Sequence, residues 1–488
     1  MSLRFSSRIL LSLTTLSLLL TACGGGGGGD DSGGTTSTDS GTTGSNITTQ
    51  GVITGFGSVY VNGVRYHTGS SDFTIDDNPG LESDLRLGMV VTVTGTLNDD
   101  GTGNASSIVF DNEVQGPVTN LITNPDGQTL TFTVLGITVQ VDRVETSFHD
   151  ISFDTLAEGD LVEASGFYDG SLVLNATYLE RKSSFTPGAS EVELKGSVSQ
   201  HGNGEFQLNG IPVMYDPSGA GTLLLDLPNG LSDGMFVEVK GTLDSSGNLQ
   251  AVRISREDSS SFDDNQSKVS LEGIITDYVD DSNFRISGTL IDASNAVFTP
   301  ATLTLGNGIK VEAEGPMVNG VLQAITLGAR GGDGVEISAR VQSVTAAGNS
   351  LTLNLLNGQV TVHTDSRTRM EDKTDAVDSL SLNDLSSGDF LEVRGLIDGS
   401  DRVLLTELRR DDPDDVILQG PVEGFEAHNS ITILGVTLFV SPSTRYEDIN
   451  DNPISADAFY SGLSVGSLVK MKDSEPGDGT ANEVEFEN

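Results

Sequence analysis

A Leu-x-x-Gly step followed by an alternating strand occurs six times in this 488-residue chain, and this repeat constrains the fold more than any other feature. The glycines of these steps lie 71, 75, 74, 80 and 78 residues apart. They are Gly88, Gly159, Gly234, Gly308, Gly388 and Gly466. Counted from each glycine, the third and fifth residues are apolar, and the fourth and sixth are polar. This period of two predicts a strand with one face buried and the other in water.

Other landmarks recur around this strand. A second glycine follows the first by seven residues in five copies, and Asp473 replaces it in the sixth; a glycine there predicts a bulge or a tight bend. Each unit also has an opening extended segment and a Gly-centred hairpin turn, such as Asn62-Gly63. Most units close with Ala-x-x-Ile/Leu/Val, as at Ala105 and Ile108. These landmarks together indicate about five strands per unit.

The sequence therefore predicts an all-β protein of about six tandem, five-stranded, OB-like small barrels joined by short polar linkers. Gly at the corners of short strands favours closed barrels over an open sheet, because an open sheet leaves unpaired edges. A continuous β-solenoid is the alternative, but solenoid repeats are usually shorter and more regular in length. Because polar linkers separate the units, we expect the barrels to form a string of separate beads.

The repeats and the preceding segments give predicted boundaries. They are a signal peptide at 1–22, a lipidated cysteine and disordered tether at 23–50, and repeats at 51–112, 113–182, 191–256, 268–331, 335–410 and 415–488. The tether contains six consecutive glycines followed by Asp, Ser, Thr and Gly, so it cannot bury enough apolar surface to offset its chain entropy.

The N-terminus has the pattern of a secretory signal. Arg4 and Arg8 precede an apolar run that ends in Leu20-Thr21-Ala22-Cys23. The run is shorter than the roughly 20 residues that a transmembrane helix needs. The ending resembles the lipobox of bacterial lipoproteins, which implies acyl chains such as palmitate on Cys23 and cleavage before it. Gly24 after the cysteine implies, by the same resemblance, an outer-membrane location in the cell envelope. Since Cys23 is the only cysteine, the fold has no disulfide.

The repeat motifs resemble those of a bacterial domain-of-unknown-function family numbered 5666. The resemblance rests on the Leu-x-x-Gly-x-Val-Glu-Val-x-Gly strand and on the Thr-x-aromatic-x-Asp runs at Thr146–Asp150 and Thr444–Asp448, and it covers about 51–488. It implies tandem OB-like barrels in an envelope lipoprotein. These motifs are structural, so the resemblance implies no catalytic residue.

Catalytic and metal-binding motifs are weak in this sequence. Gly230–Gly234 and Gly462–Gly466 match Gly-x-Ser-x-Gly, but each is the turn of the repeat leading into a strand, whereas a nucleophile elbow leads into a helix. The five histidines, one in each of five units, show no zinc-ligand spacing. They are His67, His149, His201, His363 and His428. We therefore assign no catalytic, cofactor-binding or metal-binding residue, and we expect no cofactor.

The acidic composition bears on partners. With 26 Lys+Arg against 70 Asp+Glu, the net charge of −44 disfavours nucleic acid as a partner. The run 448–453 resembles a cadherin calcium linker, and 76–79 repeats part of it. Calcium takes six to eight oxygen ligands, although Asp and Asn are also common in turns. Solvated turns with weak, diffuse binding of divalent cations are the favoured interpretation.

Two function classes follow from these patterns. The first is a lipid-anchored envelope protein without catalysis, an extended binding or spacer module whose partner is the membrane together with an envelope protein or a polysaccharide; a calcium-binding adhesion or matrix protein is a variant of it. The second is an enzyme with its site in one diverged repeat. No unit has an acid, base or nucleophile cluster that the others lack, so the first class is favoured.

Overall fold

The structure is a computed structural model that describes residues 45–487, apart from 125–126, 258–261, 263–265, 332–333, 356, 375–379, 399, 401 and 475–476. The predictions for Cys23, the signal peptide and most of the tether lie outside these residues. The described chain is nearly all β, with six small barrels in sequence order. This confirms the predicted fold class.

The first three barrels contain β1 to β20. Barrel 1 has β1 (Ser45–Gly55), β2 (Val59–Val61), β3 (Val64–His67), β4 (Asp72–Ile75), β5 (Asn78–Pro79), β6 (Val90–Leu97) and β7 (Gly103–Phe110). Barrel 2 has β8 (Val114–Pro117), β9 (Thr119–Thr123), β10 (Thr129–Val134), β11 (Ile137–Asp142), β12 (Ser147–His149), β13 (Asp160–Tyr168) and β14 (Val173–Ser184). Barrel 3 has β15 (Glu191–Ser197), β16 (Glu205–Leu208), β17 (Ile211–Met214), β18 (Leu223–Leu225), β19 (Phe236–Leu243) and β20 (Leu249–Arg256).

The last three barrels contain β21 to β40. Barrel 4 has β21 (Val269–Asp280), β22 (Asn283–Ile286), β23 (Thr289–Asp292), β24 (Val297–Thr299), β25 (Lys310–Gly315), β26 (Met317–Val318), β27 (Val321–Gln323) and β28 (Thr326–Ala329). Barrel 5 has β29 (Val335–Thr345), β30 (Ser350–Asn354), β31 (Gln359–His363), β32 (Arg369–Asp372), β33 (Phe390–Ile397) and β34 (Val403–Asp411). Barrel 6 has β35 (Val416–Glu426), β36 (Ser430–Ile433), β37 (Val436–Glu447), β38 (Pro453–Ile454), α1 (Ala456–Gly462), β39 (Leu468–Asp473) and β40 (Thr480–Phe486). Short 3₁₀ turns lie at Glu82–Asp84, Phe153–Thr155, Ala346–Gly348 and Leu382–Asp384.

Each barrel closes through the same five-strand circuit. In barrel 1, β1, β2 and β3 pair antiparallel in order, and β3 pairs parallel with β7. Strand β7 then pairs with β6, and β6 pairs with β1, so the sheet has no free edge around its circumference. Barrel 3 closes least completely, since a single bridge between Ser199 and Gln207 joins its first two strands. The circuit is that of an OB-type barrel.

The Leu-x-x-Gly step is the turn that leads into the fifth strand of the circuit. All six of its glycines have φ between 84° and 100°, a conformation that favours glycine over any other residue. The N–H of each glycine donates to a carbonyl in the first strand of its barrel or in the residue directly after that strand, for example from Gly88 to Ile53 at 3.0 Å and from Gly234 to Val198 at 2.7 Å. The step therefore fixes where the fifth strand meets the first, which explains why it recurs in every unit.

The second glycine of the repeat is a bulge, as predicted. At Gly95 and Gly166 the register between the two last strands of the barrel shifts by one residue. A Cβ atom at Gly95 would lie 2.2 Å from the carbonyl oxygen of Asn104, so a side chain does not fit there. In barrel 6, Asp473 uses its carboxylate at this point instead, accepting a bond of 2.6 Å from the N–H of Gly479.

In four barrels, a threonine that lies between the hairpin and the Leu-x-x-Gly step donates its hydroxyl hydrogen to a carbonyl of the last strand. In barrel 2, Thr146 donates to the carbonyl of Ala176 at 2.6 Å and accepts from the N–H of Asp142 at 2.9 Å. The other donor and acceptor pairs are Thr222 with Ala251, Thr368 with Leu405, and Thr444 with Ala481. In barrels 2 and 6 the donor is the threonine of the Thr-x-aromatic-x-Asp run and the acceptor is the alanine of the closing Ala-x-x-Leu/Val, which explains why the two motifs occur together there.

The barrels pair with each other through their opening strands. Strand β1 pairs parallel with β21, which joins barrel 1 to barrel 4. Strands β8 and β15 pair antiparallel and join barrels 2 and 3, and β29 and β35 do the same for barrels 5 and 6. The described residues, from 45 to 487, all belong to one compact unit. The expected string of separate beads is therefore wrong: backbone groups left open on the opening strands pair between barrels.

The predicted water-facing side of the fifth strand is also corrected by the structure. In barrels 2 to 5 its glutamates lie between barrels rather than in solvent, although they point away from the barrel core. The exposed fractions are 1% for Glu163, 1% for Glu238, 2% for Glu312 and 8% for Glu392. Period-2 alternation distinguishes the two faces of a strand, but it does not indicate what covers the polar one.

Candidate functional site in a cleft between three barrels

A cleft of about 570 Å³ lies where barrels 1, 2 and 5 meet. Barrel 2 lines it with 147–154, barrel 5 with 371–373, and barrel 1 with Arg86 and Leu87. Because three barrels contribute, the cleft exists only in the assembled chain. It is the candidate functional site.

Two phenylalanine rings form the apolar wall of the cleft. Phe148 is half-buried and meets Phe153 edge-on, with ring centres 6.3 Å apart. The guanidinium of Arg143 lies 4.1 Å from the centre of the Phe153 ring, and the ammonium of Lys373 lies 5.9 Å from that of Phe148. Stacked cations of this kind hold aromatic rings in place. The wall therefore combines a flat apolar surface with charged groups at its edge.

The cations of this wall are paired with carboxylates. Arg143 makes a bidentate pair with Asp154 at 2.8 and 3.0 Å, and Lys373 pairs with Glu371. The hydrogen bond from Arg143 lowers the pKa of Asp154, and burial lowers the pKa of Lys373. The cleft thus offers both hydrogen-bond donors and acceptors with little net charge. Such a lining suits a polar ligand that also has an apolar face.

Contacts between barrels 2 and 5 hold the cleft wall in position. Arg369 of barrel 5 donates to the hydroxyl of Ser147 at 2.5 Å and to the carbonyl of Val144 at 2.7 Å. Its guanidinium also pairs with Glu407. The segment that carries Phe148 is in addition paired with β14, with Phe148 opposite Leu179. The ring therefore projects from a strand supported on both sides.

His149, Asp150 and Glu180 form a second polar group, of which His149 and Asp150 line the cleft. One ligand atom of each lies within 4.8 Å of the others. The ring of His149 lies 4.0 Å from Asp150 and 3.5 Å from the guanidinium of Arg86. Sequence spacing did not indicate this group, because Glu180 lies opposite His149 only through the parallel pairing of β12 and β14. A neighbouring guanidinium disfavours a cation here.

The other motifs from the sequence are dispersed. The five histidines lie in barrels 1, 2, 3, 5 and 6, and His428 pairs with Asp457 at 3.2 Å. Gly234 and Gly466, which end the two Gly-x-Ser-x-Gly runs, are turns that lead into β19 and β39. Neither serine therefore lies before a helix. No helix of the described residues is long and apolar enough to cross a membrane.

The two acidic turns that suggested calcium differ in their surroundings. In the turn 448–453, the carboxylate of Asp448 accepts from the backbone N–H groups of Asn450 and Asn452 at 2.9 and 3.0 Å. In the turn 76–79, Asp77 instead pairs with Lys240 and Arg253 of barrel 3 at 3.1 and 3.0 Å. Asp448 of the first turn is satisfied by its own backbone, and Asp77 of the second makes a contact between barrels.

Comparisons with known proteins agree with the repeat. The family described as "Domain of unknown function (DUF5666)" matches 49–109, 115–180, 195–255, 335–407 and 419–485. These matches cover five of the six barrels, and barrel 4 has the same strand circuit outside them. No curated protein matches the chain.

One solved structure that is similar to this chain is titled "drosophila Unr CSD456". It is 12% identical, it covers 62% of this chain and 98% of its own, and the TM-score is 0.12. A likeness at that TM-score carries no weight for fold or function. Because the family matches together span more than half of the sequence, the chain belongs to the DUF5666 domain family and carries it in tandem copies.

Proposed function

We propose that this protein is a lipid-anchored, non-catalytic binding module of the bacterial envelope, and that it binds a polysaccharide in the cleft between barrels 1, 2 and 5. The observation that carries the proposal is the cleft itself, which three barrels line and which has aromatic rings on its wall and charged groups at its edge. Tandem copies of a small barrel domain fit a binding module.

The chemistry of the cleft favours a sugar over other envelope partners. A pyranose ring has an apolar face that packs on an aromatic ring and hydroxyl groups that both donate and accept hydrogen bonds. Phe148 supplies the ring, and the paired Arg143 and Asp154 supply donors and acceptors at the rim. The net charge of −44 disfavours a polyanionic ligand such as nucleic acid.

The packing of the barrels favours a binding body over an extended spacer. Three strand pairings between barrels fix the barrels against each other, whereas a spacer would need its barrels arranged end to end over a long distance. In this proposal the segment before residue 45, anchored through Cys23, supplies the distance from the membrane.

Anchoring is tested by metabolic labelling with radioactive palmitate in a bacterial host. The full chain should incorporate label and partition into the detergent phase, while Cys23→Ser should do neither. Equal labelling of the two proteins would contradict the proposed anchor, and it would leave the proposal for the cleft unaffected.

Binding is tested by co-sedimentation with purified peptidoglycan and with purified extracellular polysaccharide. We expect Phe148→Leu to weaken binding up to about tenfold, because an aromatic face contributes roughly 0.5–1.5 kcal/mol and leucine preserves the packing. Phe425→Leu is the matched control, since Phe425 is 39% exposed and lies outside the cleft. Equal loss in both variants, or no binding of either material, would contradict the proposal.

A further inference from the structure

Arg86 stands at a position where the other five copies of the Leu-x-x-Gly step have a small residue. It directly follows Leu85, and the corresponding residues of barrels 2 to 6 are Ala157, Ser232, Gly306, Ser386 and Ser464. All six steps form the same kind of turn, with a positive φ at the glycine. The turn therefore does not require an arginine, and the repeat alone does not explain why barrel 1 has one.

The side chain of Arg86 is half-buried and lines the cleft between barrels 1, 2 and 5. Its Nη1 donates to the carbonyls of Ser83 and Leu85 at 2.6 and 2.9 Å. Its Nε lies 3.5 Å from Nε2 of His149, the residue after Phe148. These contacts hold the guanidinium beside the aromatic wall, while Nη2 donates to no residue that the structure describes. One edge of the guanidinium is therefore open to a ligand.

Arg86 differs from the other arginines and the lysine of the cleft in its lack of a carboxylate partner within the described chain. Each of the others forms an ion pair: Arg143 with Asp154, Lys373 with Glu371, and Arg409 with Asp411. A carboxylate matches a guanidinium in both charge and hydrogen bonding. At Arg86 that group is left for a ligand to supply.

Two carboxylates near His149 do not fill this place. Asp150 lies 4.0 Å from the ring of His149, and Glu180 pairs with Lys182 at 3.2 Å. Neither of them forms an ion pair with Arg86 in the described structure. Their charges limit how much negative charge a ligand can bring into the cleft, so a single carboxylate suits it better than several.

Resting on the proposed function, we propose that the polysaccharide bound in the cleft carries a carboxylate on one of its sugars, as a uronic acid does. Arg86 binds this carboxylate while the sugar ring packs on Phe148. The net charge of −44 disfavours a polymer with a charge on every sugar, so the acidic sugar has neutral neighbours. A charge-assisted hydrogen bond is stronger than one to a neutral hydroxyl, and Arg86 therefore distinguishes an acidic sugar from a neutral one.

The test compares two oligosaccharides that differ in a single group. One is xylotriose with a glucuronic acid branch, and the other is the same molecule after its carboxyl group is reduced to a hydroxymethyl group. Binding to the full chain in detergent is measured by calorimetry at about 0.15 M salt, where charges more than about 8 Å away are largely screened. We expect the wild type to bind the acidic form at least about tenfold more tightly.

The decisive variant is Arg86→Ser, because serine stands at this position in three other barrels and fits the turn. It should bind both forms with the affinity that the wild type has for the reduced form. Arg86→Lys keeps the charge and should keep part of the preference. Arg65→Ser is the matched control, since Arg65 of barrel 1 bonds to Ser58 and Gly57 outside the cleft, and it should leave the preference unchanged. Phe148→Leu should weaken the binding of both forms alike.

Equal affinity of the wild type for the two forms would overturn the assignment of Arg86. A preference that survives in Arg86→Ser, or that disappears in Arg65→Ser, would overturn it as well. In each of these cases polysaccharide binding in the cleft would still stand. If neither form binds, the assignment of Arg86 fails, and the sedimentation of Phe148→Leu with peptidoglycan and extracellular polysaccharide decides separately whether the proposed function fails with it.

Discussion

The acidic turns 76–79 in barrel 1 and 448–453 in barrel 6 both contain Asp, Asn and Pro, yet their carboxylates bind different partners. Asp77 binds two basic side chains of barrel 3, whereas Asp448 binds the backbone of its own turn. The side chain of Asp77 is 32% exposed, and Asp448 lies in an exposed turn. An Asp-rich turn is therefore stable on its own, and it becomes a contact when a neighbouring barrel presents cations to it.

The pKa shifts agree with this difference. Burial tends to raise the pKa of Asp77, but the ammonium of Lys240 and the guanidinium of Arg253 hold it below its ordinary value. The pKa of Asp448 is also lowered, but by the N–H groups of Asn450 and Asn452. Both carboxylates are thus ionised at neutral pH, but for different reasons. Cations of another barrel stabilise the charge of Asp77, whereas N–H groups of its own turn stabilise that of Asp448.

Lys240→Met breaks the contact of the first turn most severely. It removes the cation shared by Asp77, Glu193 and Glu238 and leaves buried carboxylates without it. We expect a loss of about 3–5 kcal/mol in the free energy of unfolding, as for one partner of a buried ion pair. Urea unfolding measures it. Lys472→Met is the matched control, because its pair with Asp415 is 37% exposed on the lysine side and is worth about 0–1 kcal/mol. Equal losses would contradict a role for the turn contact.

Asp77→Asn has a smaller expected effect on the same contact. The change weakens the pairs with Lys240 and Arg253, while Lys240 keeps Glu193 as a partner. We expect a loss of about 1–2 kcal/mol, after discounting for partial exposure of the pair. A double-mutant cycle with Lys240→Met should give a coupling energy well above zero. Additive losses would show that the two side chains act independently.

Asp448→Asn should have the smallest effect, since its interactions are within one exposed turn. Because the folded pKa of Asp448 is lowered, its stabilising effect is present above the unfolded value of 3.8 and is lost as the pH falls through the folded pKa. The difference in Tm between wild type and variant should therefore be present at pH 7 and shrink below about pH 4. A difference that grows on acidification would contradict the capping role of this carboxylate.

Local features of each barrel were predictable from the sequence. The glycine of the Leu-x-x-Gly step has positive φ in all six barrels, and the bulge glycines approach a carbonyl too closely for a side chain. These are constraints that act within a few residues or between neighbouring strands, so they leave a residue type at a fixed position. The closed five-strand circuit followed from them.

Contacts between barrels were not predictable in the same way. Arg369 reaches Ser147 across 222 positions, and Lys240 reaches Asp77 across 163, with no local pattern that links them. Glu238 has the alternation of a solvent-facing residue and is 1% exposed. Another barrel covers the polar face of this strand. Which barrel does so depends on how all six barrels pack, and no local pattern in the sequence records that. The cleft was not predictable for the same reason, although the residues 147–150 that line it belong to a motif that stands out in the sequence.

The parallel pairing of β1 with β21 has a consequence for how the protein is made. Ribosomes synthesise β1 first, and its partner at 269–271 follows only after barrels 2 and 3 are complete. Until then the open side of β1 at 48–50 is an exposed sheet edge, and such an edge can pair with another chain. Polypeptides released early, with barrels 1 to 3 alone, should therefore self-associate through β1.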